Sequence, residues 1–136
     1  MKVNDTVILM YLRNFAQFYN EELVATKCVN YRYDAYSDEY ICTRAIGIFR
    51  NSKFTYIIRV AKLLKNGEFG WVTIAEIPFG AIRYIEDYAV KYNDINMLIY
   101  YLSDNYYLTS LGKSYIPAAV KLLLELAKAS QKGEEV

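Results

Sequence analysis

Residues 54–77 decide which fold this 136-residue chain can adopt, because two different structures satisfy the same local signals. As strands, residues 54–64 and 69–77 would join through Asn66-Gly67, a dipeptide that favours a type I′ hairpin turn. As a helix, residues 54–66 present one broad apolar face and end at the same dipeptide. Thr73-Ile74-Ala75-Glu76 then has the form of a capping box that opens another helix. Local signals alone leave both alternatives open.

The strand alternative extends a hairpin that is predicted immediately upstream. Residues 29–35 alternate apolar and polar side chains, Ser37-Asp38-Glu39 indicates a turn, and residues 40–49 are rich in β-formers. The four strands would form an antiparallel meander flanked by helices.

The register of that meander carries an electrostatic cost. Arg44 would lie opposite Arg59, and Lys62 opposite Trp71. Like charges directly across a sheet are destabilising unless an acidic residue or a bound anion lies between them.

Both ends of the chain have helical periodicity with unusually wide apolar faces. Asp5 or Thr6 is expected to cap a helix that runs to about Lys27, and a second helix is expected over residues 115–131, followed by a tail at 132–136. A helix that is apolar on most of its circumference must be covered on more than one side. We therefore expect a homodimer that forms through the N- and C-terminal helices.

The lack of any histidine restricts the chemistry available to this chain. It removes Ser-His-Asp and Cys-His nucleophilic sites and every metal site that needs imidazole. Cys28 and Cys42 lack the short spacing of a zinc or redox pair, so they are expected to be free buried thiols. We expect a protein that is not an enzyme and uses no cofactor or metal. The N-terminus reads as neither a signal peptide nor a membrane span, which predicts a cytoplasmic location.

The total charge of the chain is near neutral, but the middle of the sequence is basic. Residues 41–70 contain six basic side chains and one acidic side chain, a net charge of +5, whereas residues 76–104 have a net charge of −3. Affinity for nucleic acid depends on the field at the docking face, so this segment favours contact with phosphates.

The segment before the last helix contains a motif of known form. Residues 99–102 and 106–109 read as a hairpin around Ser103-Asp104-Asn105, and the second strand continues as Tyr106-Tyr107-Leu108-Thr109-Ser110-Leu111-Gly112. This resembles the wing of winged-helix DNA-binding proteins, particularly PadR-like and HxlR-like regulators, in which Tyr-x-Leu-Thr-x-x-Gly leads into a dimerising helix.

The resemblance favours the helical alternative for residues 54–77 and an α+β winged helix-turn-helix fold. It implies a winged-helix domain over 54–131 that ends in a dimerisation helix, with residues 1–53 as an N-terminal helix and hairpin extension. It also implies a recognition helix over about 79–92, a wing contact near Asn105, and phosphate contacts from Lys53 and Lys113. The candidate nucleic-acid contacts from both alternatives are Lys53, Arg59, Lys62, Trp71, Arg83, Tyr84, Lys91, Asn105 and Lys113.

Three functions are therefore open. The first is a dimeric transcriptional regulator that binds duplex DNA. The second follows from the meander: a single-stranded DNA-binding protein with a basic, aromatic sheet. Its stacking platforms would be Trp71, Tyr56 and Phe54, beside the cations Lys62, Arg44 and Arg59. The third is a non-catalytic protein-interaction module. The composition, rich in Tyr, Ile and Lys, looks like that of small proteins of hyperthermophilic archaea and their viruses.

Overall fold

The structure, a computed structural model, describes residues 2–81, 107–108 and 115–134 and places a β-sheet between two helices. The elements in chain order are β1 (Val3–Asn4), α1 (Thr6–Phe18), β2 (Glu22–Asp34), β3 (Glu39–Arg50), β4 (Thr55–Leu63), β5 (Phe69–Pro78), a 3-10 turn (Phe79–Ala81), β6 (Tyr107–Leu108) and α2 (Ile116–Glu134).

Strands β2 to β5 form an antiparallel meander in chain order. β1 runs parallel to the start of β3, and β6 pairs with β5 at Ala75 and Glu76. The α+β class is confirmed, and residues 54–77 form the hairpin of the meander alternative. The predicted helices over 54–66 and from Thr73 are wrong, because those residues form β4 and β5.

Burial on both faces explains why β4 looks like a helix in the sequence. Ile58 and Val60 pack towards α2, whereas Ile57 and Ala61 pack towards α1, so both faces of the strand carry apolar residues. A strand that is covered on both faces loses the alternation of polar and apolar residues and cannot be told from a buried helix by periodicity.

Two separate cores hold the three layers together. The α1 side consists of Ile8, Leu12, Ala16, Cys42, Ala45, Phe49, Ile57 and Ala61. The larger α2 side includes Ile46, Ile48, Ile58, Val60, Ile74, Ile77, Val120, Leu122, Leu123 and Leu124. The apolar residues of α2 are thus largely buried within the chain itself. Neither α1 nor α2 has the length and apolar character needed to cross a membrane.

The first helix is shorter than predicted. It ends at Phe18 because Asn20 adopts a φ of 56°, a left-handed conformation that Asn tolerates at helix C-termini. The Glu21 backbone N–H donates to the Ala16 carbonyl at 2.8 Å, and Lys27 lies in β2. At the other end, the Asn4 side chain accepts a hydrogen bond from the Thr6 N–H at 2.9 Å. The second helix continues to Glu134, into the predicted tail.

Two turns set a register that differs from the predicted one. In the β3–β4 turn Phe54 adopts a φ of 60°, which lengthens the turn and brings Lys62, not Arg59, opposite Arg44. In the β4–β5 turn, Gly67 alone has a positive φ, of 84°, so the turn is not of type I′. Lys62 consequently faces Gly70 instead of Trp71.

Cys28 and Cys42 form a disulfide bond between β2 and β3, so the prediction of free thiols is wrong. The hairpin is the reason, since Cys28 pairs with Ala45 and Cys42 with Tyr31, and the intervening bulges leave the two Cα atoms 6.1 Å apart. That distance is normal for a disulfide. Sequence spacing alone did not reveal this proximity.

We expect the Cys28→Ser/Cys42→Ser variant to lose about 3 kcal/mol of unfolding free energy, because the bond closes a loop of roughly 15 residues in the unfolded chain. Urea denaturation of both proteins measures the difference. Titration of the native protein with a thiol reagent is the control. Two reactive thiols per chain would contradict the assignment.

A buried ion pair ties β4 to the end of α1. The Arg59 Nη1 atom donates to Glu21 Oε1 at 2.6 Å, and Nη2 lies 3.4 Å from Oε2. The guanidinium carbon also lies 4.8 Å from the ring centres of both Phe15 and Phe49, and 5.6 Å from that of Trp71. Aromatic faces attract a cation, so this position is favourable for Arg59. The Arg59 Nε atom is buried without a hydrogen-bond partner.

We expect Glu21→Gln to cost about 3 kcal/mol or more in unfolding free energy, since it leaves the buried Arg59 charge uncompensated. The neighbouring Glu22→Gln is a matched control, because Glu22 pairs with Arg50 at the surface and such pairs contribute about 0–1 kcal/mol. Thermal and urea unfolding of both variants provide the comparison. Equal losses from the two substitutions would contradict this role.

Candidate nucleic-acid interface

A row of paired residues crosses four strands at the end of the α2-side core. Asn30 of β2 pairs with Arg44 of β3, Arg44 with Lys62 of β4, and Lys62 with Gly70 of β5. The row lies two residues along the strands from Ile46 and Val60, which are covered by α2. Near the N-terminus of α2, the Arg44 guanidinium carbon lies 5.7 Å from the ring centre of Tyr115.

Two further cations join this row to form a groove, which we call the basic groove. Arg32 comes from the end of β2, and Lys65 comes from the β4–β5 turn. The basic groove encloses about 310 Å³ and is lined by Asn30, Tyr31, Arg32, Thr43, Arg44, Lys62, Leu63 and Lys65. Four of these lining residues are cationic and none is acidic.

The charges of the basic groove are unbalanced within the described part of the chain. The ion pairs found there are Arg50 with Glu22 and Arg59 with Glu21, and neither involves a groove cation. The nearby Asp34 carboxyl has a lowered pKa, mainly because Ser37 donates a hydrogen bond to it and to a smaller extent because of Arg32. The direct opposition of Arg44 and Lys62 is repulsive and would be relieved by a bound anion.

Neutral hydrogen-bonding groups complete the groove. The Asn30 Nδ2 atom donates to Thr43 Oγ1 at 2.8 Å, next to the irregular pairing between β2 and β3. Burial raises the pKa of Tyr31, and the neighbouring Asp5 carboxylate raises it further. Tyr31 therefore remains a neutral phenol, and its hydroxyl is directed at the Asp5 carboxylate.

A second cavity, which we call the apolar cavity, adjoins the basic groove. It has a volume of about 350 Å³ and is lined by Arg44, Val60, Lys62, Gly70, Trp71, Val72 and Tyr115. Arg44 and Lys62 line both spaces. The rest of the lining is apolar or aromatic, apart from the Tyr115 hydroxyl.

The predicted contact residues within the described part of the chain do not lie together. Lys62 lies in the basic groove, but Arg59 is buried on the opposite face and held by Glu21. Trp71 borders the apolar cavity, while its ring packs edge-on against Phe15 on the α1 side. Lys53 is exposed in the β3–β4 turn, at the other end of β4. Outside the described residues lie Arg83, Tyr84, Lys91, Asn105 and Lys113.

The other two predicted stacking platforms lie far from the groove. Tyr56 is 9% exposed and packs against Phe79 with 4.5 Å between ring centres. Phe54 is 72% exposed but lies at the Lys53 end of the sheet. β4 separates this end from Lys62 by about 25 Å at ~3.3 Å per residue.

Sequence reasoning missed Arg32, Lys65, Tyr115 and Gly70 as neighbours of Lys62. A correct strand register would have indicated part of this neighbourhood, because it places Asn30, Arg44, Lys62 and Gly70 in one row. The predicted register already placed a second cation opposite Arg44, but that cation was Arg59, whereas in the structure it is Lys62. An error of three residues in the β3–β4 turn accounts for the difference.

The one cluster of potential metal ligands in the described residues is Asp5, Cys28 and Cys42. The two sulfur atoms are bonded to each other, so they are not available as thiolates, the form of Cys that binds metals. Comparisons of the chain with protein-family models, curated proteins and solved structures reveal no match. The chemistry of the site itself is therefore the basis for assigning a function.

Proposed function

We propose that this protein binds single-stranded DNA along the basic groove. The observation that carries the proposal is the convergence of Arg32, Arg44, Lys62 and Lys65 on one groove that has no acidic lining residue. A polyanion relieves the repulsion between Arg44 and Lys62, and it releases counterions when it binds.

Several features favour a single strand over a duplex. The groove is a space on a sheet, and the aromatic ring of Tyr115 lies beside one of its cations, Arg44. Proteins that bind single strands combine a basic groove with aromatic rings on which bases stack. A duplex reader instead places a helix or a two-stranded ribbon in the major groove. The helices of the winged-helix alternative over 54–77 are replaced by β4 and β5.

Arg44→Gln and Lys62→Gln should each weaken binding of a labelled dT oligonucleotide about tenfold, since each removes a charged hydrogen-bond donor. Affinity decreases as salt increases, so the slope of the logarithm of the association constant against log[salt] is negative. Its magnitude should decrease by about 0.7 for each phosphate that the variant no longer neutralises. Fluorescence anisotropy over a salt series measures both quantities. Lys53→Gln is the matched control and should leave affinity and slope unchanged, because Lys53 lies at the far end of β4.

The same titration with a duplex of equal length separates the competing functions. Preference for the single strand supports the proposal, whereas preference for the duplex would favour the regulator predicted from the wing motif. No binding to either at low salt would overturn both and leave a protein-interaction role.

We also propose that the chain forms a homodimer through α1. The outer side of this helix exposes Val7 (53%), Met10 (55%) and Phe18 (82%) at helical spacing. With Asn14 between them these residues form an uncharged stripe, which can meet its own copy across a two-fold axis without repulsion between like charges. The apolar side of α2 does not favour the same role, because Val120, Leu122, Leu123 and Leu124 are buried within the chain.

Met10→Lys should shift the protein from dimer to monomer in sedimentation-equilibrium experiments, because two Lys side chains would enter the interface. The position is already half exposed, so the fold should tolerate the change. Lys128→Met on α2 is the control and should leave the association constant unchanged. A wild-type protein that is monomeric at all concentrations would contradict this interface.

A further inference from the structure

The apolar cavity continues the basic groove without a break. The row formed by Asn30, Arg44, Lys62 and Gly70 crosses both spaces, and its two central cations line each of them. At Gly70, which lines the apolar cavity, the row has no side chain. The two spaces therefore meet at a pair of positive charges.

We propose that the apolar cavity receives one nucleobase of a bound single strand, while Arg44 and Lys62 hold the adjacent phosphate. This inference rests on the proposed function and specifies how that site recognises its ligand. A nucleotide carries an anion and a flat, largely apolar ring within one unit, and the two adjoining spaces match these two parts.

The lining of the cavity suits a base better than a second phosphate. Val60 and Val72 supply apolar surface, and Tyr115 supplies an aromatic ring that packs against the α2-side core. The cations lie where the cavity meets the groove, since both Arg44 and Lys62 belong to the two linings. A volume of about 350 Å³ falls within the range of small-molecule pockets.

Gly70 keeps this space open. The heavy atoms nearest to a Cβ atom added at Gly70 belong to the Leu64 side chain, at 3.7 Å or more, which is ordinary van der Waals contact. Gly70 lies within β5 and does not have a positive φ. A β-branched residue therefore fits the strand, and because Gly70 lines the apolar cavity, we expect such a side chain to occupy part of that space.

The test compares Gly70→Val with the wild type on two ligands, a dT oligonucleotide and an abasic strand with the same number of phosphates. The wild type should bind the dT strand about tenfold more tightly, because stacking of one base is worth roughly that factor. Gly70→Val should lose this preference but retain the affinity for the abasic strand and the salt slope. Gly80→Val is the control, since a Cβ there meets nothing within 4 Å, and it should behave as the wild type.

The outcomes separate this inference from the proposed function. If the wild type binds both strands equally, the base pocket is overturned while the basic groove stands. If Gly70→Val keeps the full preference for dT, the base binds elsewhere and the inference is also overturned. If neither strand binds, the proposed function itself fails. A thermal unfolding curve for Gly70→Val that matches the wild type establishes that the variant is folded.

Discussion

The ion pair between Arg59 and Glu21 joins the residues that follow α1 to the middle of β4. Glu21 follows the left-handed Asn20 that ends α1, and Arg59 lies at the middle of β4. The pair is surrounded by Phe15, Phe49 and Trp71, which belong to α1, β3 and β5. One guanidinium therefore fixes the position of α1 relative to three strands. Because a lone buried charge is very unfavourable, misplacing any of these elements would have a high cost.

This pairing also determines which face of the sheet is available for binding. The basic middle of the sequence contains six cations, but Arg59 and Arg50 are paired with Glu21 and Glu22. The excess charge that remains on the sheet therefore lies on the α2 face, where Arg44 and Lys62 face each other. Net charge over a segment did not distinguish these roles, since it counts a buried cation and an exposed one equally.

The sequence predicts some elements of the fold well and others poorly, for identifiable physical reasons. The β2–β3 hairpin and α2 are both found, although β2 begins at Glu22, within the span predicted as the first helix. β4 packs against both cores, so its apolar residues lack the alternation that marks a strand. α1 was predicted too long because its end depends on the conformation of Asn20, which no periodic pattern encodes. The disulfide and the groove both depend on strand register, and a change of a few residues in a turn alters every pairing that follows.

The opposition of Arg44 and Lys62 links the stability of the fold to the occupancy of the groove. Without a ligand the two charges repel each other across neighbouring strands, which destabilises the sheet by up to about 1 kcal/mol. In the proposed complex, a phosphate between them would convert that repulsion into two attractive contacts. Part of the binding free energy would then come from the repulsion that the folded chain loses. A ligand that binds only the folded state stabilises it in proportion to the logarithm of its concentration above Kd. The buried pair of Arg59 and Glu21 has no such dependence, because each charge already has its partner within the protein. Two arginines of the same sheet thus differ: Arg59 has its partner within the protein, and Arg44 in the proposed complex has its partner in the ligand.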